Sequence, residues 1–476
     1  QATASIRGTS ASHTQLLWNG MNLNSPMAGM ADLSLLPVFF IDEVTLLHGG
    51  SSLSTGSGAL GGAIHLENKP SWDGRQRVTA IAENGSFGAW RLMGAVRGGT
   101  PRWQSVTRIY HDASRNNFPF YNVGIIPFRR DTLDHGDYHR NGVMQEFYLR
   151  TPGEVTAALR GWFQQGERNL PQLMSYEGGE REEFQKDHQW RVQLEVKKYA
   201  PGLSLSFSSG LNRSRMSYFR KVITAGWVTD DALNRELSWH NMLKINKELT
   251  SRLSFAGSLE AVTHQVKASN QARDEGYDQR RNEGGLLLHF TYRPSSRSAF
   301  FLLNRTETWD GQWRVLIPAA GAEWKVSRHR QAWLKANFTG NYHKPSMNDL
   351  YWIPGGNPGL LPEKGVTGEI SWASACQGQR WNWLHELSFY LSGINDWIIW
   401  QPAANGAWYW EADNLRDVLS RGLEYDFNSI FEHRNYTFTI SGNYALTHTT
   451  NRNGVSTADR SRGKQLIYIP LHSGHL

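Results

Sequence analysis

Apolar and polar residues alternate along most of the chain, in segments of roughly ten residues. From about Arg75 onward the pattern repeats, and in the segment 190–197 four apolar residues alternate with Arg191, Gln193, Glu195 and Lys197. A period of two indicates strands with one apolar and one polar face. About 17–18 strands are expected between Arg75 and the C-terminus on this pattern.

The connections between these segments favour a membrane barrel over a soluble sandwich, the alternative with the same alternation. Short turns alternate with long polar connections, which lie near 111–141, 165–188, 214–232, 343–363, 400–415 and 448–463. Outer-membrane barrels have tight turns on one rim and long loops on the other. Aromatic residues such as Trp103, Tyr110, Trp333 and Tyr342 also stand at segment ends, as interfacial girdles require. We therefore predict an all-β membrane protein with an antiparallel transmembrane β-barrel over residues 70–476.

Residues 1–69 have a different pattern and are rich in Gly and Ser. Short strand-like pieces lie at Thr14–Trp18, Val44–Leu47 and Gly62–Glu67, and a helical turn is expected at Asp32–Leu36. The sequence predicts a small mixed α/β domain here.

Composition narrows the class of protein. The 476 residues include 50 Lys and Arg against 43 Asp and Glu, a net charge of +7, and the mean hydropathy is −0.53. The absence of any run of 18 uncharged apolar residues excludes a bundle of transmembrane helices, and 12% aromatic residues exclude disorder. Without a block of Lys and Arg, nucleic-acid binding is not expected. The single cysteine, Cys376, cannot form a disulfide framework.

No catalytic site is apparent, so no enzyme is predicted. Residues 56–61 match G-x-G-x-x-G, but a strand-like segment follows and the Lys of a phosphate-binding loop is missing, so a tight glycine turn is expected. Ser57 lies in this turn without the surroundings of a nucleophile elbow. The 17 histidines show no metal-binding spacing and are expected mostly in loops or at the rims.

Four aspartates are weak candidates for a calcium site. Asp112, Asp131, Asp134 and Asp137 fall in the first long connection, where their oxygens could gather a calcium ion. A solvated acidic loop is the alternative, and no other metal or cofactor is expected.

Two carboxylates are expected inside the barrel. Strand parity places Glu369 and Glu424 on the lumen side, opposite lipid-facing apolar neighbours. An unpaired charge costs several kcal/mol to desolvate, so these carboxylates need cations unless the lumen is wet. Arg7 is a candidate partner if the first domain fills the barrel.

Aromatic residues in the predicted loops are candidates for ligand binding, because they offer rigid contact area. Membrane anchoring in the aromatic girdle is the alternative role for some of them. The candidates are Trp227, Tyr351, Trp352, Trp397, Trp408, Tyr409 and Trp410.

These features together resemble the TonB-dependent outer-membrane receptors along essentially the whole chain. The motifs that carry the resemblance are Ile6-Arg7-Gly8, Leu16 to Gly20, Gly56 to Ile64, Asn116 to Phe120, Lys344 to Tyr351, Gly356 to Glu363 and Arg421 to Glu424. The resemblance implies a plug domain in the lumen of a 22-stranded barrel. It also implies that Arg7 pairs with Glu369 and Glu424.

The chain departs from the family pattern at one plug residue, and it is expected to lack two segments of the family's fold. The second plug cation of the family pattern is replaced by His48, which suggests a plug–barrel contact that weakens above about pH 6.5. The first plug half and the last barrel strands are expected to be missing. A sheet with two open edges is then expected, which would leave backbone groups unsatisfied in the membrane and make the chain by itself unfit for transport.

The function that the resemblance implies is active uptake of a large, scarce small-molecule or metal-chelate ligand across the Gram-negative outer membrane. The implied partners are the inner-membrane TonB complex, outer-membrane lipid and lipopolysaccharide. Cobalamin and ferric siderophores are the favoured ligands. Haem is less favoured, because no histidine lies between Pro345 and Asn357. The alternative is a receptor-like barrel that binds a surface or a partner subunit without transport; a passive porin is opposed by the plug.

Overall fold

A large barrel and a small sheet within it make up the fold. The computed structural model describes residues 2–49, 53, 56, 58–174, 181–223, 225–327, 331–403, 406, 408–454 and 459–476. In this part of the chain, no helix has the length and apolar character needed to cross a membrane.

The inner unit, residues 2–69, is called the plug. Its strands are β1 (Thr14–Trp18), β2 (Met21–Asn22), β3 (Glu43–Leu47) and β4 (Gly62–Glu67). They form one sheet in the order β2-β1-β4-β3, in which β1 and β4 run parallel. Short 3-10 helices span Ala11–His13, Leu33–Leu35 and Val38–Phe40. The strands expected at 14–18 and 62–67 are confirmed.

The outer unit, residues 77–476, is called the barrel. Two short strands, β8 (Pro119–Asn122) and β9 (Arg129–Thr132), form a separate hairpin, and Met347–Tyr351 forms the helix α1. A 3-10 helix spans Ser86–Gly88. The barrel strands are β5 (Arg77–Asn84), β6 (Trp90–Gly99), β7 (Trp103–Ser114), β10 (Tyr138–Arg150), β11 (Val155–Asn169), β12 (Arg181–Ala200), β13 (Leu203–Val222), β14 (Trp227–Glu248), β15 (Leu253–Asn270), β16 (Glu275–Ser295), β17 (Ser298–Trp309), β18 (Gln312–Lys325), β19 (Gln331–His343), β20 (Glu363–Gln377), β21 (Trp381–Pro402), β22 (Trp410–His433), β23 (Tyr436–Asn451) and β24 (His472–His475).

Within the described residues, 18 strands form a closed barrel, so the expectation of two open sheet edges is wrong. Strand β10 pairs with β7, and the four-residue strand β24 pairs with β23 and stands next to β5 in the ring. A closed ring is favoured because no edge strand is left with unpaired backbone groups facing lipid. The predicted number of strands and the antiparallel barrel are confirmed.

The strands run further toward one rim than the polarity pattern predicts. Most of the connection expected at 214–232 is strand, because β13 ends at Val222 and β14 begins at Trp227. Beyond the membrane both faces of a strand meet water, so the alternation of polarity fades while the pairing continues. This rim, which carries the longest connections, is called the long-loop rim.

Hydrophobic clusters join the plug to the barrel wall. Outward-facing apolar residues of the barrel are exposed, as in Leu302 at 61% and Ile370 at 57%. On the inside, Trp18 and Phe40 of the plug pack with Met144 and Trp162 of the wall. The lumen is therefore filled, and the plug positions its polar side chains against those of the wall.

Candidate functional site between the plug and the barrel

Arg7 of the plug binds two carboxylates of the barrel wall. Its Nη1 donates to Glu369 Oε2 and its Nη2 to Glu424 Oε2, each at 2.6 Å. The guanidinium lies 4.6 Å from the ring centre of Tyr390, and Ser420 Oγ donates to the Arg7 carbonyl at 2.7 Å. The structure thus brings together the three residues of the expected contact.

The local backbone conformation aims Arg7 at the wall. Arg7 and Gly8 have φ of 54° and 72°, a region that glycine adopts without strain. A Cβ at Gly8 would lie 1.9 Å from Thr449 Oγ1, so only glycine allows this approach. Burial by itself disfavours the charge of Arg7, but the hydrogen bonds and attraction from Glu424 and Glu369 outweigh it and raise the pKa of Arg7.

His48 lies on the same side of the plug. It is half-buried and close enough for its charge to act on Glu369 and Asp426. The next residue, Gly49, has φ of 60°, and a Cβ there would lie 2.8 Å from Glu369 Oε2. His48 thus lies beside the Arg7 contact, and the expected weakening above about pH 6.5 stays a prediction.

Further polar contacts tie the plug to the wall around its circumference. Sequence patterns do not reveal them, because each joins residues far apart in the chain. Among the wall side chains that bind plug groups are Arg108 with Asp42 at 2.7 Å, Arg168 with Asp32 at 3.2 Å, Gln164 with Leu35 O at 2.8 Å, Gln193 with Asn19 O at 3.0 Å, and Glu236, which accepts from Ser25 Oγ at 2.7 Å.

We expect the Asp32 contact to make stability depend on pH. Burial alone would raise the pKa of Asp32, but the hydroxyl of Ser34, the backbone N–H groups of Ala2 and Ser34, and Arg168 together lower it. A lowered pKa stabilises the fold above the unfolded value of about 3.9, and this stabilisation is lost as pH falls through the folded value. Asp32→Asn should therefore lower Tm at pH 7, and its difference from the wild type should shrink as pH falls below about 3.9. The exposed Asp134→Asn serves as control, and a Tm difference that stays constant with pH would contradict the assignment.

A second cluster joins plug and wall, and no sequence pattern indicates it. Glu363 Oε2 lies 2.6 Å from Nε2 of plug residue His13 and 2.8 Å from Nδ1 of His343. The Ile398 N–H donates to Glu363 Oε1 at 2.7 Å. His343 and Glu363 are direct partners in the pairing of β19 and β20. The histidines are expected mostly in loops or at the rims, and His13 is an exception, because its side chain is fully buried.

The candidate aromatic residues do not form one cluster. Trp227, Trp408 and Trp410 are exposed at the long-loop rim, with Trp408 fully in solvent. Tyr409 is partly exposed next to them. Tyr351 and Trp352 are half-buried against Met27 of the plug and Met347 of α1.

Trp397 is not a loop residue, which corrects the sequence analysis. It lies within β21, is 8% exposed, and its ring packs edge-on at 4.7 Å from that of His13. The pairing of β21 with β22 shifts register on both sides of Trp397, and the preceding Asp396 has φ of 58°. Such a bulge re-aims a side chain, here into the lumen.

The four aspartates of the calcium hypothesis do not come together in the described residues, where His13, His343 and Glu363 make up the one group with metal-binding spacing. Asp112 lies within β7 and pairs with Arg91 and Arg140. Asp131 stands near Arg129, Asp134 is exposed, and Asp137 accepts from Asn169. Calcium binding stays a prediction. Ser57, the residue of the glycine turn, lies outside the described residues.

Family models of known proteins match both the plug and the barrel of this chain. Residues 1–63 match the TonB-dependent receptor plug domain, and residues 54–476 match the TonB-dependent receptor-like β-barrel. The vitamin B12 transporter BtuB of Photobacterium profundum is 25% identical over 429 residues. That alignment covers 88% of this chain and 65% of the relative, so the chain spans slightly less than two thirds of that relative's length.

Solved structures share the fold. The copper transporter OprC superposes with a TM-score of 0.75 at 14% identity, covering 96% of this chain and 75% of that one. The siderophore receptor PirA of Acinetobacter baumannii gives 0.74 at 15% identity, covering 98% and 76%. The plug inside an antiparallel barrel and the match of both family models lead to one conclusion: the chain belongs to the TonB-dependent receptors, a family of outer-membrane proteins.

Proposed function

We propose that this protein imports a scarce nutrient across the outer membrane, driven by the TonB complex of the inner membrane, and that it transports rather than catalyses. The observation that carries the proposal is the filled lumen. Buried charges of the plug pair with the wall, as Arg7 does with Glu369 and Glu424, so a large ligand cannot pass while they hold. Work done on the plug is needed to separate them.

The long-loop rim is the side proposed to meet the ligand. A cavity of about 270 Å³ lies there between the plug segment Ser34–Leu35 and the wall residues Arg140 and Arg168. Exposed Trp408 and Trp410 stand at the same rim and offer apolar contact area. The outward apolar face of the barrel contacts outer-membrane lipid and lipopolysaccharide in this proposal.

Cobalamin is the first candidate ligand, because the relative with 25% identity is a vitamin B12 transporter. A ferric siderophore is the second. Arg140 and Arg168 line the rim cavity, and an anionic chelate would have to compete there with Asp112 and Asp32, which these arginines already bind. Haem is disfavoured by a specific contact. His343, the histidine nearest to the Pro345–Asn357 segment, holds its Nδ1 2.8 Å from Glu363 and packs against His13, so it is not presented to a ligand.

Equilibrium binding of radiolabelled cobalamin to the purified protein in detergent tests the ligand. We expect saturable binding that unlabelled cobalamin displaces and a ferric siderophore does not. No saturable binding of cobalamin, together with saturable binding of a labelled ferric siderophore, would replace cobalamin as the ligand.

Trp408→Ala and Trp410→Ala are expected to weaken ligand binding about 10- to 30-fold each, because a buried contact residue of this size contributes about 2 kcal/mol. Trp324→Ala is the matched control, since Trp324 is 62% exposed on β18 away from the rim. The dissociation constant, measured by the same radioligand assay, reports the change. Equal affinities in all three variants would show that Trp408 and Trp410 do not belong to the binding surface.

A further inference from the structure

The cluster of His13, His343 and Glu363 has an unusual charge balance. The side chains of His13 and Glu363 are 0% and 3% exposed, and that of His343 is 12% exposed. Several other wall carboxylates pair with Arg or Lys, as Glu146 does with Arg108. In the described part of the chain, the salt-bridge partners of Glu363 are the two histidines alone. A buried carboxylate needs a cation, and neutral histidines do not supply one.

We propose that His13, His343 and Glu363 form a binding site for a divalent late transition-metal ion, such as zinc, nickel or cobalt. Two imidazole nitrogens and one carboxylate oxygen are a donor set that suits these ions, whereas calcium and magnesium require mainly oxygen donors. The three donor atoms lie within 4.8 Å of one another. Tetrahedral donors around an ion at 2.0–2.1 Å lie about 3.3–3.4 Å apart. The two nitrogens, now 2.6 and 2.8 Å from Glu363 Oε2, therefore have to move away from it by roughly 0.5–0.8 Å, and water completes the coordination.

Metal binding fixes the tautomers of the two imidazoles. With the ion on Nε2 of His13, the ring proton lies on Nδ1 and faces the Ser10 N–H, so the 3.3 Å hydrogen bond that Nδ1 now accepts is lost and Ser10 has to shift. With the ion on Nδ1 of His343, the ring proton moves to Nε2 on the side of Gly29. Neutral histidines therefore bind the ion without net release of protons, and the Ile398 N–H continues to hold the second oxygen of Glu363.

The ion has a route to the site and a structural consequence there. A cavity of about 90 Å³, lined by His343, Ser12 and Gly58, borders the cluster. One donor belongs to the plug and two to the wall, so the ion connects the two units directly. Metal binding thus strengthens the hold on the plug. This inference does not depend on the proposed function or its ligand.

The test is zinc binding to the whole protein, without an affinity tag, after removal of metals with a chelator. Equilibrium dialysis followed by elemental analysis should give one tightly bound zinc per chain, with millimolar calcium or magnesium unable to displace it. His343→Gln and Glu363→Gln should each weaken binding about 100-fold. Zinc should also slow hydrogen exchange of the plug amides in β1 in the wild type and not in these variants.

The matched control is His433→Gln, which removes an exposed histidine at the end of β22. It should bind zinc as tightly as the wild type. Circular dichroism shows whether each variant keeps its β-structure, and two separate substitutions guard against one that fails to fold. No stoichiometric zinc, or equal affinity in the wild type and both site variants, would overturn the proposal and leave a protonated histidine as the counter-ion of Glu363.

Discussion

Replacing Arg7 by Gln is expected to weaken the hold of the plug by about 3–5 kcal/mol, because it removes the cation to which both Glu369 and Glu424 are hydrogen-bonded. The side chains of Arg7 and Glu369 are 4% and 7% exposed, so water can compensate little. Native-state hydrogen exchange of the plug amides in β1 measures the free energy of opening and should show this loss. The exposed Arg434→Gln, in a short turn, should change it by less than about 0.5 kcal/mol.

A triple variant separates the ion pair from simple loss of packing. Arg7→Met combined with Glu369→Gln and Glu424→Gln removes every charge of the contact and leaves none unpaired. It should recover more than half of the stability lost in Arg7→Met alone, because interacting charges are not additive. Losses that simply add across the three substitutions would show that the carboxylates do not depend on Arg7.

Trp18→Ala should cost about 3–5 kcal/mol of the same opening free energy, since it empties a fully packed site between plug and wall. Trp18 is 0% exposed, and its ring meets that of Trp162 edge-on at 5.3 Å between centres. Its Nε1 donates to Asn68 at 2.7 Å, so the substitution also strands a buried acceptor.

Trp18→Phe is the conservative comparison. It keeps an aromatic ring against Trp162 and loses mainly the hydrogen bond, so we expect a cost of about 1–3 kcal/mol. Hydrogen exchange of the plug amides is again the measurement. A similar cost for both substitutions, or a cost below about 1 kcal/mol for alanine, would mean that the wall does not support the plug at Trp18.

Part of this site could be predicted from the sequence for a definite reason. Strand alternation has a period of two, so the side that Glu369 and Glu424 face follows from their apolar neighbours. The turn that carries Arg7 requires a glycine at the next position, where φ is 72°, and the sequence shows this glycine as part of the Ile-Arg-Gly motif. Motif and parity therefore lead to the same three residues.

The rest depends on register, bulges and three-dimensional closure. His343 and Glu363 meet only because the connection that contains α1 returns the chain in one particular register, and His13 arrives from the plug. The bulge that turns Trp397 inward changes the parity of its strand locally. The sheet closes where the four-residue β24 stands next to β5. This closure depends on all the strands of the ring together, so the alternation within any single strand does not predict it.

Energy-coupled uptake is the central claim, and labelled cobalamin accumulation in cells tests it most directly. The host is a Gram-negative bacterium that lacks its own cobalamin receptor, makes this protein, and carries either a working or an inactive TonB complex. We expect accumulation only where the TonB complex works, because the plug contacts at Arg7 must be broken before a ligand can pass. Equal accumulation in both hosts, or binding at the surface without accumulation in either, would contradict it.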